Sequence, residues 1–168
     1  MNELIAKIEQ WAEDRNIIKG SKPIDQAMKL FSEFGELADN VGKGRDCRDD
    51  IGDVFVVLTI ISKQEGLNIG LALNFSGIGV GSLKHGVAGL GCCLADFVNN
   101  PDQATLTVCL EVLDAVCYEA RINLRECIQI AYNDIKDRKG LMHNGVFIKE
   151  SDPAYASVVA SIEENYSA

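Results

Sequence analysis

Apolar positions along the chain recur mostly three and four residues apart, the spacing of one face of an α-helix. Leu4, Ile5, Ile8, Trp11 and Ala12 predict a first helix over residues 2–14. Lys19-Gly20-Ser21-Lys22-Pro23 interrupts the pattern, with Ser21 suited to cap the next helix and Pro23 to open it. From Pro23 to about Val41 the stripe is Ala27, Leu30, Phe31, Phe34, Leu37, Ala38 and Val41, and Gly42-Lys43-Gly44-Arg45 ends it as a loop. Residues 47–65 resume with Ile51, Val54, Phe55, Val57, Leu58 and Ile61. The β-branched residues there favour a strand, but length and the three-four spacing favour a buried helix. After Gly66 glycine becomes frequent and charge almost vanishes. Residues 83–98 and 102–120 predict two helices split by Asn99-Asn100-Pro101, and 123–138 a last strong helix stopped by Gly140. A short terminal helix is expected to begin near Asp152-Pro153. The expected fold class is all-α, a helical bundle.

Composition narrows this picture. With 168 residues, 47% hydrophobic and 24% charged, the chain is expected to form one globular domain over 1–168. A net charge of −9 argues against a nucleic-acid partner. Six cysteines do not fall into zinc-finger spacing, and His85 and His143 lie far apart. Met1-Asn2-Glu3-Leu4 lacks a basic and apolar leader, so the thiols are expected to be reduced and buried and the protein cytoplasmic. The least charged stretch, Leu67 to Leu83, is broken by glycine and asparagine, so no membrane contact is expected.

The informative residues are acids inside apolar helices. Glu33 and Glu36 stand three apart, as do Asp50 and Asp53, so each pair shares a helix face. Gly35 and Gly52 sit inside the two pairs and leave room for close approach. Two helices joined by the loop at 42–46 can bring the four carboxylates together. An all-oxygen set suits a hard cation, Mg²⁺ or in its place Mn²⁺. The competing account is an ordinary solvated acidic face, and on pattern alone the two stand level. A di-iron bundle would need Glu-x-x-His, which neither His85 nor His143 completes.

Cations gather at the end of the last helix. Asn133 and Lys136 lie three apart, with Arg138 nearby. These residues either complement the helix dipole or clamp phosphate oxygens. Gln26 and Lys29 extend the Glu33–Glu36 face by whole turns. Trp11, four residues before Arg15, reads as a core residue or as a contact to a nucleobase.

Gln26-x-x-Lys29-x-x-x-Glu33-x-x-Glu36, then Asp50-x-x-Asp53, then Asn133-x-x-Lys136-x-Arg138 together resemble the MazG-like nucleotide pyrophosphohydrolases of the all-α NTP pyrophosphatase superfamily. The run from Asp137 to Glu150 is similar to small phage-type members. The resemblance covers about residues 8–66 and 122–150. It implies a core of 1–66 and 122–150 interrupted by an insertion of about 67–121. Asp50 stands where the family usually has Glu. The resemblance further implies Mg²⁺-dependent cleavage of a nucleoside triphosphate between the α and β phosphates, giving monophosphate and pyrophosphate. Glu33, Glu36, Asp50 and Asp53 would hold the metal, with Glu33 or Glu36 as base. Gln26, Lys29, Asn133, Lys136 and Arg138 would bind substrate, and a homodimer or homotetramer is implied, in the host cytoplasm if phage-encoded. Alternatives are a dUTPase-like or alarmone-directed hydrolase of the same fold, and a non-catalytic helical protein that binds nucleotide or another protein.

Overall fold

The computed structural model describes residues 1–73 and 77–167. Asn74, Phe75 and Ser76, within the low-charge stretch, lie outside the described residues. The chain is predominantly helical. Its elements are α1 (Asn2–Asp14), α2 (Ile17–Gly20), α3 (Pro23–Gly42), α4 (Arg48–Gln64), a 3-10 turn (Leu71–Leu73), α5 (Leu83–Asn99), α6 (Gln103–Ala120), α7 (Leu124–Ile135), β1 (Gly140–His143), β2 (Val146–Lys149) and α8 (Tyr155–Ser167). No helix among the described residues is long and apolar enough to cross a membrane.

Helix α4 is the axis of the fold. From Asp50 to Ser62 every residue is buried except Asp53, which is partly exposed. A helix apolar nearly all round must be covered on all sides, and α1, α3, α6 and α7 do so. This explains the mixed strand-and-helix signal of 47–65: its β-branched residues fill a core position on every face. The approach of α7 is set by Gly52, where an added Cβ would overlap the carbonyl oxygen of Cys127 and lie 2.7 Å from Cβ of Ala131. Gly35 has nothing within 4 Å of the same position and is exposed, so only one of the two glycines serves close packing.

Helices α5 and α6 form a pair whose Leu90, Leu94, Phe97, Leu106, Leu110 and Leu113 are fully buried in the same core as α1, α3, α4 and α7. The 67–121 segment therefore thickens the bundle. Phe34 of α3 packs onto Gly91 of α5, where a Cβ would sit 2.7 Å from the ring.

Three local features depart from the sequence reading. Ser21 does not cap α3. Its hydroxyl donates to the Ile17 carbonyl and accepts from Gln26, while Lys22 holds the N-cap position and Asp25 accepts its amide at 2.8 Å. Helix α7 stops at Ile135 rather than 138: the Arg138 amide donates to the Ile135 carbonyl, three residues back instead of four, and the carbonyls of Lys136 and Arg138 accept from Arg15. The tail forms an antiparallel hairpin, with Met142 paired to Phe147 and Gly140 to Lys149. Asn144 and Gly145 turn it with φ of 50° and 79°, the positive pair a two-residue type I′ turn requires.

The hairpin docks on α2. The amides of Met142 and Gly145 donate to the carbonyls of Arg15 and Gly20, each at 2.8 Å, and Asn16 donates to the Met142 carbonyl at 2.9 Å. An added Cβ on Gly20 would overlap that carbonyl oxygen and fall 2.7 Å from Nδ2 of Asn16. Gly20→Ala is therefore expected to loosen the hairpin. Amide exchange at Met142 and Gly145 should quicken by at least about tenfold while the core amides of α4 keep their protection; unaltered rates at both would disprove this docking.

Candidate active site

A cavity of about 660 Å³ lies between α1, α3, α4 and the hairpin. Helix α4 contributes an apolar wall of Val56, Val57 and Ile60, ending in Asp53. Helix α3 presents Asp25, Gln26, Lys29 and Glu33, which are spaced so that they fall on one side of the helix. The hairpin supplies the roof. Met142 and Phe147 are a cross-strand pair and so share a face, and Lys149, two residues after Phe147, shares it too.

Two carboxylates meet here. Glu33 is 5% exposed and forms an ion pair with Lys29 one turn earlier. Asp53 is pushed up to about 7, first by burial and then by the negative charges of Glu33 and Asp49, with Arg138 and Lys29 pulling the other way. Asp49, one turn before Asp53, is raised as well, by partial burial and by Asp134 and Asp50. At Asp53 burial and the negative charges of its neighbours outweigh the pull of the nearby cations, an environment that favours either a proton or a bound cation.

Cations ring the same opening: Lys29 from α3, Arg138 and Lys139 from the α7–β1 segment, and Lys149 from β2. Among the described residues Arg138 makes no salt bridge, and Lys139 pairs only at the surface, with Glu150 at 3.5 Å. In a chain with 16 basic residues against 25 acids, four at one opening is a local reversal of sign.

Of the residues singled out in the sequence, the structure brings Trp11, Gln26, Lys29, Glu33, Asp53 and Arg138 to the cavity. Gln26 is buried, and its amide nitrogen donates to Ser21 at 2.9 Å. Four others lie outside the lining. Glu36 is exposed, because the three-residue step from Glu33 carries it round the helix towards solvent. Asp50 is buried, but Asn40 donates to both of its oxygens, at 2.9 and 3.1 Å. Burial raises the Asp50 carboxyl, and the Asn40 bonds partly offset this. Asn133 and Lys136 are exposed and turn to each other at 3.4 Å. Asp25, Asp49, Lys139 and Lys149 were not singled out from the sequence. The available signal for Lys149 was Asn144-Gly145 between alternating apolar residues, which marks a hairpin and places Phe147 and Lys149 on one face.

The four-carboxylate cradle is not assembled: among the described residues no group of three or more His, Cys, Asp or Glu side chains is placed to hold an ion. Mg²⁺ does not demand such a group. It keeps several waters and is commonly held by one or two carboxylates together with substrate phosphates. Glu33 and Asp53, two neighbouring carboxylates with no histidine or cysteine beside them in the lining, fit that requirement.

Over 70 residues the chain is 47% identical to an uncharacterized 18.2 kDa protein in the rep-hol intergenic region of Haemophilus phage HP1 (strain HP1c1). The match takes in 40% of this chain and 43% of that protein, so the chain spans less than half of its length. No family model and no solved structure matches the chain.

Proposed function

We propose that the protein is a Mg²⁺-dependent nucleoside triphosphate pyrophosphohydrolase that cleaves between the α and β phosphates, releasing monophosphate and pyrophosphate. The observation that carries this reading is one cavity joining buried Glu33 and half-buried Asp53 to four cationic side chains in an otherwise acidic chain. The resemblance of its motifs to MazG-like enzymes points the same way.

Each group then has a task. Lys29, Arg138, Lys139 and Lys149 bind and orient the phosphates, whose charge they neutralise. The apolar wall of Val56, Val57 and Ile60 with Met142 and Phe147 takes the less polar part of the nucleotide and excludes water around it. Glu33 would hold Mg²⁺ with phosphate oxygens and water, and the ion when bound adds charge neutralisation at the reacting phosphorus. Asp53 accepts the proton of the attacking water. A carboxyl poised near neutrality is matched to that transfer, whereas Glu36 lies outside the cavity and Glu33 is engaged by Lys29.

A panel of ribo- and deoxynucleoside triphosphates with Mg²⁺, assayed for monophosphate and pyrophosphate, tests the reading. Pyrophosphate release with at least one of them is expected. A second reading, nucleotide binding without turnover, is favoured by the placement of Glu36 and Asp50 outside the cavity. Saturable Mg²⁺-dependent binding with no product across the panel would establish it in place of the first.

A further inference from the structure

Arg15 follows directly after α1, and its side chain crosses to the segment between α7 and β1. Its Nε donates to the Arg138 carbonyl at 2.6 Å and Nη2 to the Lys136 carbonyl at 2.9 Å. Nη1 reaches back to the Trp11 carbonyl at 3.4 Å, and the guanidinium lies 5.2 Å from the centre of the Trp11 ring. The backbone carbonyl of the same residue accepts the Met142 amide. One residue thereby holds the C-cap of α7, the linker and the first strand of the hairpin. Its positive charge also stands at the negative end of the α7 dipole.

The linker needs such a hold. Residues 136–139 belong to no helix or strand, yet they carry Arg138 and Lys139, two long side chains that lose much rotamer freedom when they grip a ligand. A guanidinium can hold two carbonyls at once with a rigid fork, whereas an ammonium offers a point charge on a flexible stem. The Trp11 ring has the guanidinium over one face, so on that face it supports Arg15 and offers no platform to a nucleobase.

We propose that Arg15 is a positioning residue: by fixing the Lys136 and Arg138 carbonyls it aims Arg138 and Lys139 over the cavity as a preformed clamp for the ligand's phosphates. This rests on reading the cavity as a polyphosphate site. Arg15 acts on affinity through the clamp and takes no part in the proton transfer at Asp53.

Two measurements on Arg15→Ala and the milder Arg15→Lys separate the possibilities. The first uses no ligand. Amide exchange at Arg138, whose N–H bonds to the Ile135 carbonyl, should quicken about tenfold in Arg15→Ala and less in Arg15→Lys. The second is calorimetry with inorganic tripolyphosphate and Mg²⁺. Arg15→Ala should weaken binding about tenfold, with Arg15→Lys recovering part of the loss. Added to the Arg138→Ala/Lys139→Ala double variant, Arg15→Ala should change the dissociation constant less than about twofold. In turnover, KM should rise about tenfold with kcat held within about twofold. Unchanged exchange in Arg15→Ala, or a full further loss of affinity on top of the double variant, overturns the positioning role alone. A wild-type protein that does not bind tripolyphosphate overturns the polyphosphate site itself, and the exchange result then stands apart as a statement about the linker.

Discussion

Asp53→Asn is expected to lower turnover by about a thousandfold or more while making the protein more stable at neutral pH. Asparagine keeps the shape of the side chain but cannot take the proton from water. Tripolyphosphate binding should persist, since the substitution removes a negative charge facing an anionic ligand. A variant that keeps most of its pyrophosphate release would remove Asp53 from the chemistry.

The stability half of this prediction follows from linkage. Without divalent ions, the Asp53 carboxyl of the folded protein titrates at about 7, against an ordinary value of 3.8. Between these values the folded state still binds a proton that the unfolded chain has released. Folding is therefore favoured at the acid end and loses stability as pH rises through that window. Above about 7 the whole cost of an ionised, partly desolvated carboxylate beside Glu33 and Asp49 is felt. The neutral amide of Asp53→Asn carries no such cost. The urea midpoint of Asp53→Asn should match wild type near pH 4, pull ahead steadily from there to pH 7, and run parallel above it. Coincident midpoints across the range would show that Asp53 is neither desolvated nor crowded by Glu33 and Asp49. Mg²⁺ should narrow the gap from the wild-type side if Glu33 and Asp53 share the ion's field.

Much of the helical frame is legible in the sequence because its signal is local. The stripe from Ala27 to Val41 and the run from Ile51 to Ile61 give α3 and α4 to within a few residues at either end. Leu90, Leu94 and Phe97 of α5 and Leu106, Leu110 and Leu113 of α6 fall in the two helices predicted in the same way. The hairpin escapes that reading because Gly140 looks like the stop of a helix, and Asn144-Gly145 looks like part of an irregular tail although its flanks alternate. Spacing within one helix identifies acids that share a side, yet it cannot say which of them the neighbouring helix will meet. Glu33 and Glu36 are indistinguishable as a pair in sequence, and one is buried while the other is in solvent. Asp50 looks equivalent to Asp53 until Asn40, ten residues earlier, takes both its oxygens. For Arg15 the sequence shows only its i, i+4 spacing from Trp11, since the two carbonyls it holds after α7 lie more than 120 residues away.

Gly52→Ala should destabilise the protein by about 2 kcal/mol, although alanine is the better helix former. Two opposing effects decide the sign. Replacing a mid-helix glycine by alanine gains about 1 kcal/mol from backbone propensity. At position 52 the new methyl would overlap the Cys127 carbonyl oxygen and approach Ala131 Cβ to 2.7 Å. The obstacle is the backbone of α7, which cannot swing aside as a side chain can, so α4 and α7 must separate. Overpacking of this kind costs about 3 kcal/mol, and the difference is the expected net loss. Gly35→Ala is the matched control, because an added methyl there meets nothing within 4 Å. It should gain up to about 1 kcal/mol, and the two urea curves should shift in opposite directions. The consequence also reaches the cavity. Asp53 is the next residue on α4, and Arg138 stands just beyond the end of α7, so parting these helices moves the carboxyl relative to the cation that offsets its neighbours' charge. Gly52→Ala is therefore expected to lose turnover even at temperatures where it remains folded, while Gly35→Ala keeps it. Equal stability of Gly52→Ala and wild type would mean that the contact between α4 and α7 does not fix the distance on which the site depends.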